Sequence, residues 1–188
     1  MDNNSSLKPM IIAFAAIVAV LLAADLAVKQ VAVDALAGRP DVVVIPGFWS
    51  FHFIGNPDTG FSFLRALGLD ALLPRGLQTG LIAAFQLLGV GVAAWFFFSP
   101  KNYLGTWVKR LPLALVAAGG LGNAIDRIIR GFVVDYVYWF AKGFSWPIFN
   151  LADTYTVVGV IVLAAFLFFT KDGKKTPVAP AARPGELK

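Results

Sequence analysis

The chain has 188 residues, 58% of them hydrophobic and 14% charged, with a mean hydropathy of +0.73. Soluble domains carry about 45–50% apolar and about 25% charged residues, so a soluble domain, a disordered chain and a nucleic-acid binder are excluded and the +5 net charge suits the cytoplasmic loops of a membrane protein. With no cysteine and His52 as the single histidine, disulfide scaffolds, cysteine nucleophiles and multi-histidine metal sites are excluded as well.

A membrane-crossing helix needs about 20 mostly apolar residues. Residues 10–33 form the first such stretch. It is too long for a cleaved signal peptide, and Asp25 and Lys29 stand where a small-residue cleavage site would be. Residues 34–76 follow as a long connection. Within it, Asp41 to Ile54 is rich in β-branched and aromatic residues around a Pro46-Gly47 turn and predicts a small hairpin or sheet. Phe61 to Leu64 is a candidate further strand. Leu67 to Leu73 predicts a short amphipathic helix in the interface. Residues 77–98 give the second span, and residues 111–129, rich in Gly and Ala, give the third. The connection 130–150 holds the strand-like VVDYVYWF, with Tyr136, Tyr138, Trp139 and Trp146 suited to an interfacial aromatic belt. Residues 151–170 form the fourth span. The tail 176–188, rich in Pro and Ala, predicts disorder, leaving 1–175 as one integral-membrane domain.

Four spans put both termini on one side. Nine Lys and Arg residues flank the spans on that side and five on the other. The positive-inside rule therefore predicts cytoplasmic termini, with 34–76 and 130–150 extracytoplasmic.

Ionisable residues in or beside membrane spans are costly and mark function by default. Here Asp25, Lys29, Asp126, Arg127, Asp135 and Asp153 all fall toward the outer ends of their helices or just beyond. Asp25 and Lys29, spaced i,i+4 with the acid first, suit a helical ion pair; a lysine snorkelling to the headgroups is the other bland reading. Asn123 and Asp126 share a helix face behind the small residues Gly119, Gly120 and Gly122, with Arg127 beside it, which suits a polar clamp between helices. Asn150 reads as an N-cap and Asp153 as the third helical residue, favourable at the positive end of the helix dipole. Asp135, alone in an apolar strand at the membrane surface, has no such structural excuse.

Two facing carboxylates share a proton, so that one activates water while the other polarises a carbonyl. If the chain stayed helical after Asp126, that residue would lie about 13 Å deeper than Asp135. Asp135 and Asp153 bracket one short connection at a common depth, which favours them as the pair.

Laid out in this way, the chain resembles the lipoprotein signal peptidase, or signal peptidase II, family. Asp25 and Lys29 match its D-x-x-x-K. Gly119, Asn123, Asp126, Arg127 and Val133-Val134-Asp135-Tyr136 match G-x-x-x-N-x-x-D-R followed by V-V-D-[FY], and Phe149, Asn150, Ala152 and Asp153 match F-N-x-A-D. The resemblance implies a four-helix transmembrane bundle with a small extracytoplasmic β-cradle and a short interfacial helix. It also implies an aspartic endopeptidase, acting without metal or organic cofactor in the bacterial inner membrane. Such an enzyme removes the signal peptide from diacylglyceryl-modified prolipoproteins, cutting before the lipidated cysteine. Asp135 and Asp153 map onto the family's catalytic pair; Asn123, Asp126, Arg127 and Asn150 map onto the polar residues that orient it. One loop departs: where the family has N-x-G-A-A-F-S, the chain reads Asn56-Pro57-Asp58-Thr59-Gly60-Phe61-Ser62, which keeps Asn56 but sets Asp58 at the glycine position.

Membrane lipids and a lipid-modified prolipoprotein are the expected partners, with no nucleic acid, and the expected state is a monomer. Two other classes compete. A proton-coupled transporter would also bury Asp, Lys and Arg, but these charges cluster at one face and no inverted repeat is present. A non-catalytic membrane scaffold would use the same charges only as helix clamps. His52, between Phe51 and Phe53, reads as a structural or interfacial residue.

Overall fold

The computed structural model describes residues 3–57, 72–99 and 107–169. Helix α1 spans Asn3–Leu36, α2 Arg75–Phe98, α3 Leu111–Arg130 and α4 Leu151–Phe169. A 3₁₀ turn, Trp107–Arg110, leads into α3. From Lys8 of α1 onward, all four helices are long and apolar enough to cross a membrane. Their outer faces expose large apolar side chains such as Phe85, Leu88, Val160, Ile161 and Phe168, as a lipid-facing surface does.

Helix α3 is central and packs against the other three. Apolar burial drives helices together weakly in lipid, so small residues that admit close backbone approach carry the association. Ala114, Ala117, Ala118, Gly119 and Gly122 are buried along α3. A side chain at Gly119 would run into Ala152 and Thr156 of α4, and one at Gly122 into the Asp25 carboxylate of α1. Toward the N-terminal end of α3, Phe14, Phe97 and Phe98 close the core with ring centroids 4.6–5.2 Å apart. At its other end α3 stops at Gly131, whose φ of 79° lets its N–H return to Arg127 O.

Strands β1 (Val42–Ile45), β2 (Trp49–Asn56), β3 (Val133–Ala141) and β4 (Phe144–Ser145) form an antiparallel sheet in the order β1-β2-β3-β4. The sheet packs on the end of α1, where Ala32 and Leu36 meet Phe51, Phe53, Val134 and Tyr136. In β2 the register slips between Phe51, opposite Val137, and Ile54, opposite Asp135. His52 and Phe53 thus oppose Tyr136 alone, a β-bulge that re-aims the strand beside Asp135.

Hairpin, β3 strand and four spans agree with the expectations from sequence. The first helix continues past residue 33 to Leu36. Tyr136 is corrected: only 6% exposed, it belongs to the apolar layer under the sheet, whereas Trp139 and Trp146 are exposed as a belt requires. The strand expected at 61–64 and the disordered tail at 176–188 lie outside the described residues. So does most of the helix expected at 67–73, of which Leu72 and Leu73 form a turn.

Candidate functional site

The polar side chains of α1, α3, β3 and α4 meet at the sheet end of the bundle. Asn150 is the N-cap of α4: its Oδ1 accepts the Asp153 N–H at 2.9 Å, while Asp153 Oδ2 accepts the Asn150 N–H at 3.1 Å. This reciprocal cap satisfies two backbone donors and holds Asp153 against the helix N-terminus. Because the backbone claims Oδ1 of Asn150, its Nδ2 must point away. It donates to Asp135 Oδ1 at 2.7 Å and to Asn123 Oδ1 at 3.0 Å.

Asn123 is oriented in the same manner from α1. The Lys29 ammonium has only donors to offer, and it donates to Asn123 Oδ1 at 2.9 Å. That turns Asn123 Nδ2 toward Asp153, whose Oδ1 accepts it at 2.7 Å. Two amides therefore tie the carboxylates of Asp135 and Asp153 into one network. Asn56, the last residue of β2, completes it by donating to Asp135 Oδ2 at 2.7 Å.

Beneath this layer lies an ionic one. Lys29 pairs with Asp25 at 2.9 Å and with Asp126 at 3.1 Å, and neither Lys29 nor Asp25 is exposed at all. The snorkelling reading of Lys29 is thereby corrected, since its ammonium is held by three acceptors inside the bundle. Asp25 Oδ1 also accepts the Ala152 N–H at 2.9 Å, so a carboxylate of the first helix caps the fourth. Asp126 turns away from the pair: it accepts the Val134 N–H at 3.1 Å, pinning the start of β3, and binds Arg130 Nε at 3.1 Å. Arg127 is 3% exposed and donates to Gln86 Oε1 at 3.0 Å and to Asn123 O at 3.2 Å.

The two carboxylates sit in unlike surroundings. Asp135 is 2% exposed, whereas Asp153 is half-buried. Burial pushes the Asp135 carboxyl up from 3.8 to about 6; Asn56 opposes the rise, the Asp153 charge adds to it, and Asn150 and Lys29 pull it back. A buried acid that keeps its proton up to about pH 6, beside a more exposed carboxylate, suits the division of labour of an acid–base pair.

All nine candidate residues, Asp25, Lys29, Asn56, Asn123, Asp126, Arg127, Asp135, Asn150 and Asp153, belong to this assembly. Three contributors went unnoticed in the sequence. Gln86 was legible as a lone amide in an apolar span. Gly122 was grouped with its neighbours as a packing residue, although it makes room for one specific carboxylate. Arg130 stands i,i+4 from Asp126, a spacing that could have shown their pairing. His52 bonds Asp41 at 2.6 Å on the sheet surface and lies outside the network.

Fold and site together define a four-helix membrane protein of the aspartic peptidase type. The family model described as signal peptidase (SPase) II matches residues 17–169, and the chain belongs to that family. A lipoprotein signal peptidase of Xanthomonas euvesicatoria pv. vesicatoria is 39% identical over 137 residues, 72% of this chain and 74% of that protein. One from Xylella fastidiosa strain M12 is 36% identical over 159 residues, 84% of this chain and 89% of its own. Among solved structures, a bacterial membrane enzyme determined by the in meso method at 2.3 Å resolution shares the fold. It has a TM-score of 0.65 and 23% identity, over 89% of this chain and 94% of that one. The protein is therefore a peptidase and a multi-pass protein of the bacterial inner membrane. The transporter and scaffold readings find no support.

Proposed function

We propose that the enzyme releases the signal peptide from diacylglyceryl-modified prolipoproteins by hydrolysing the bond before the lipidated cysteine, with Asp135 and Asp153 as its catalytic pair. The observation that carries this reading is the amide bridge. Asn150 and Asn123 hold the two carboxylates in one hydrogen-bonded unit at the mouth of the bundle.

Asp153, half-buried and set at a helix N-terminus, is the ionised member and takes a proton from the attacking water. Asp135, buried and slow to ionise, donates to the peptide carbonyl oxygen as the water oxygen bonds to its carbon. Collapse of the tetrahedral intermediate breaks the carbon–nitrogen bond, and the proton gained by Asp153 passes to the cysteine amine. Asn56 and Asn150 orient Asp135, and Asn123 orients Asp153. Asp25, Lys29 and Asp126 hold those amides and helix ends in place. Arg127, beside Asn123, supplies positive charge next to the pair.

The excess of basic residues on one side supports cytoplasmic termini and an extracytoplasmic site. The substrate then enters sideways, its acyl chains remaining in lipid. The enzyme works as a monomer, with residues 1–175 as a single domain. The test is to incubate the purified protein with a prolipoprotein bearing or lacking the diacylglyceryl group and to weigh the products. Cleavage of the lipidated form alone, leaving a free amino group on the modified cysteine, is expected. Equal cleavage of the unlipidated form would overturn the substrate assignment.

A further inference from the structure

Strand β2 passes Asp135 with its ladder out of step. From Phe51, opposite Val137, an unbroken antiparallel ladder would set Phe53 opposite Asp135. The bulge between Phe51 and Ile54 sets Ile54 there instead. A slip of one residue exchanges the two faces of a strand. Phe53 therefore goes to the apolar layer on α1, and Ile54 comes to the face that carries Asp135.

The neighbouring residues fix this direction. Asn56, two positions on, shares the face of Ile54 and bonds Asp135 Oδ2 at 2.7 Å. Gly55, between them, faces the other way: a Cβ there would meet the Phe132 ring at 3.0 Å, and Phe132 packs with the layer on α1. Residues directly opposite on one face hold their Cβ atoms about 4.5–5.5 Å apart. Ile54 is 39% exposed, the one exposed side chain of β2, and joins neither apolar cluster of the described residues. A branched hydrocarbon group thus lies uncovered next to a carboxyl group that the fold has buried. It flanks Asp135 on the β2 side, whereas Phe149 and Asn150 run along the other side of β3. Ile54 can therefore meet a substrate without standing between the two carboxylates.

We infer that Ile54 is a specificity-determining residue: it limits the size of the substrate side chain immediately before the cleaved bond. The inference rests on the proposed peptidase reading, in which Asp135 donates to the scissile carbonyl oxygen. That carbonyl belongs to the residue before the cysteine, whose Cβ is three bonds from the oxygen. At a spacing of about 5 Å from Asp135, Ile54 falls within reach of that side chain. A β-branched side chain is stiff at χ1 and offers no hydrogen bond, so it acts as a fixed wall that reads size and not polarity. Small side chains fit beside it, and longer or branched ones are turned away.

The test uses the full-length protein purified in detergent and diacylglyceryl-modified prolipoproteins with glycine, alanine or leucine before the cysteine. A second pair carries alanine or leucine after it. The kcat/KM of each is measured for the parent, Ile54→Ala and Ile54→Trp. Ile54→Ala should raise the leucine-to-alanine ratio before the cysteine by about tenfold or more, the scale on which an apolar wall discriminates. Ile54→Trp should lower the alanine-to-glycine ratio by a similar factor. Neither should change the ratio for the residue after the cysteine. A loss of packing alone would slow all substrates together, so the ratios report contact with the substrate, and either folded variant decides the matter if the other fails to fold. Ratios equal to the parent's would overturn the inference, and a change confined to the residue after the cysteine would overturn the assignment of the side chain. A parent that cleaves none of these substrates would overturn the peptidase reading itself, an outcome distinct from a parent that cleaves them with ratios Ile54 does not control.

Discussion

Replacing Asn56 by Ala removes the 2.7 Å bond from its Nδ2 to Asp135 Oδ2 without adding a charge. That bond favours the ionised carboxyl and is the largest influence opposing burial, which together leave Asp135 at about 6. A hydrogen bond to a charged group is worth about 1.5–3 kcal/mol, and each 1.36 kcal/mol is about one pH unit. Without it, the Asp135 carboxyl should move up by about 1–2 units, to roughly 7–8. If Asp135 works protonated, kcat/KM of the unaltered enzyme falls as pH rises through about 6, the range in which the free enzyme loses that proton. Asn56→Ala should carry this alkaline limb upward by 1–2 units while lowering the plateau through poorer orientation. The assay is cleavage of a fluorescent lipopeptide from pH 4.5 to 9, normalised to each plateau. If Asp135 were instead the ionised base, the same substitution would drag the acidic limb upward and leave the alkaline one alone. That result, or an unmoved profile, would refute the assignment of the proton to Asp135.

Other consequences are structural. The raised Asp135 carboxyl means that folding favours its neutral form. Its own contribution to stability should therefore be fully present below about pH 4 and be lost as pH rises through about 6, about 3 kcal/mol in total for a shift from 3.8 to about 6. Asp135→Asn should flatten that slope of unfolding midpoint against pH. Lys29→Met takes from Asp25 its counter-ion and leaves Arg130 as the described ion-pair partner of Asp126, and a broken buried pair costs about 3–5 kcal/mol. Thermal unfolding in detergent should show the loss, and adding Asp25→Asn should recover part of it. Gly122→Val drives a side chain into the Asp25 carboxylate and against Ala152. It should destabilise by about 1–3 kcal/mol, and a midpoint equal to the parent's would contradict the close approach of α1 and α3.

Membrane spans were legible because a lipid-facing helix is apolar on nearly every face, so length and hydropathy suffice. The β3 strand was legible from its β-branched and aromatic run. The misplacement of Tyr136 came from treating that run as one surface. Side chains alternate along a strand, so if Asp135 faces the site, Val134 and Tyr136 must face the other way, onto α1. The cap from Asn150 to Asp153 is local and could be read from spacing. The cap from Asp25 to the Ala152 N–H spans 127 residues, and no periodicity carries a distance of that kind. Orientation of the amides was equally hidden. Asn123 and Asn150 could each present oxygen or nitrogen, and the choice depends on an ammonium from α1 and a backbone N–H of α4, which only the folded bundle brings to them. The carboxylates differ for a related reason: the strand residue Asp135 is buried and held by Asn56 and Asn150, while the helix residue Asp153 stays half-buried.

The central claim is that Asp135 and Asp153 act as one catalytic unit. It is tested most directly by kcat/KM on a lipidated prolipoprotein for Asp135→Asn, Asp153→Asn and the double variant, each shown to be folded. Residues that act together are strongly non-additive, so each single substitution should cost at least about a thousandfold and the double variant little more than either. Substantial cleavage by either single variant, or losses that multiply in the double, would contradict it.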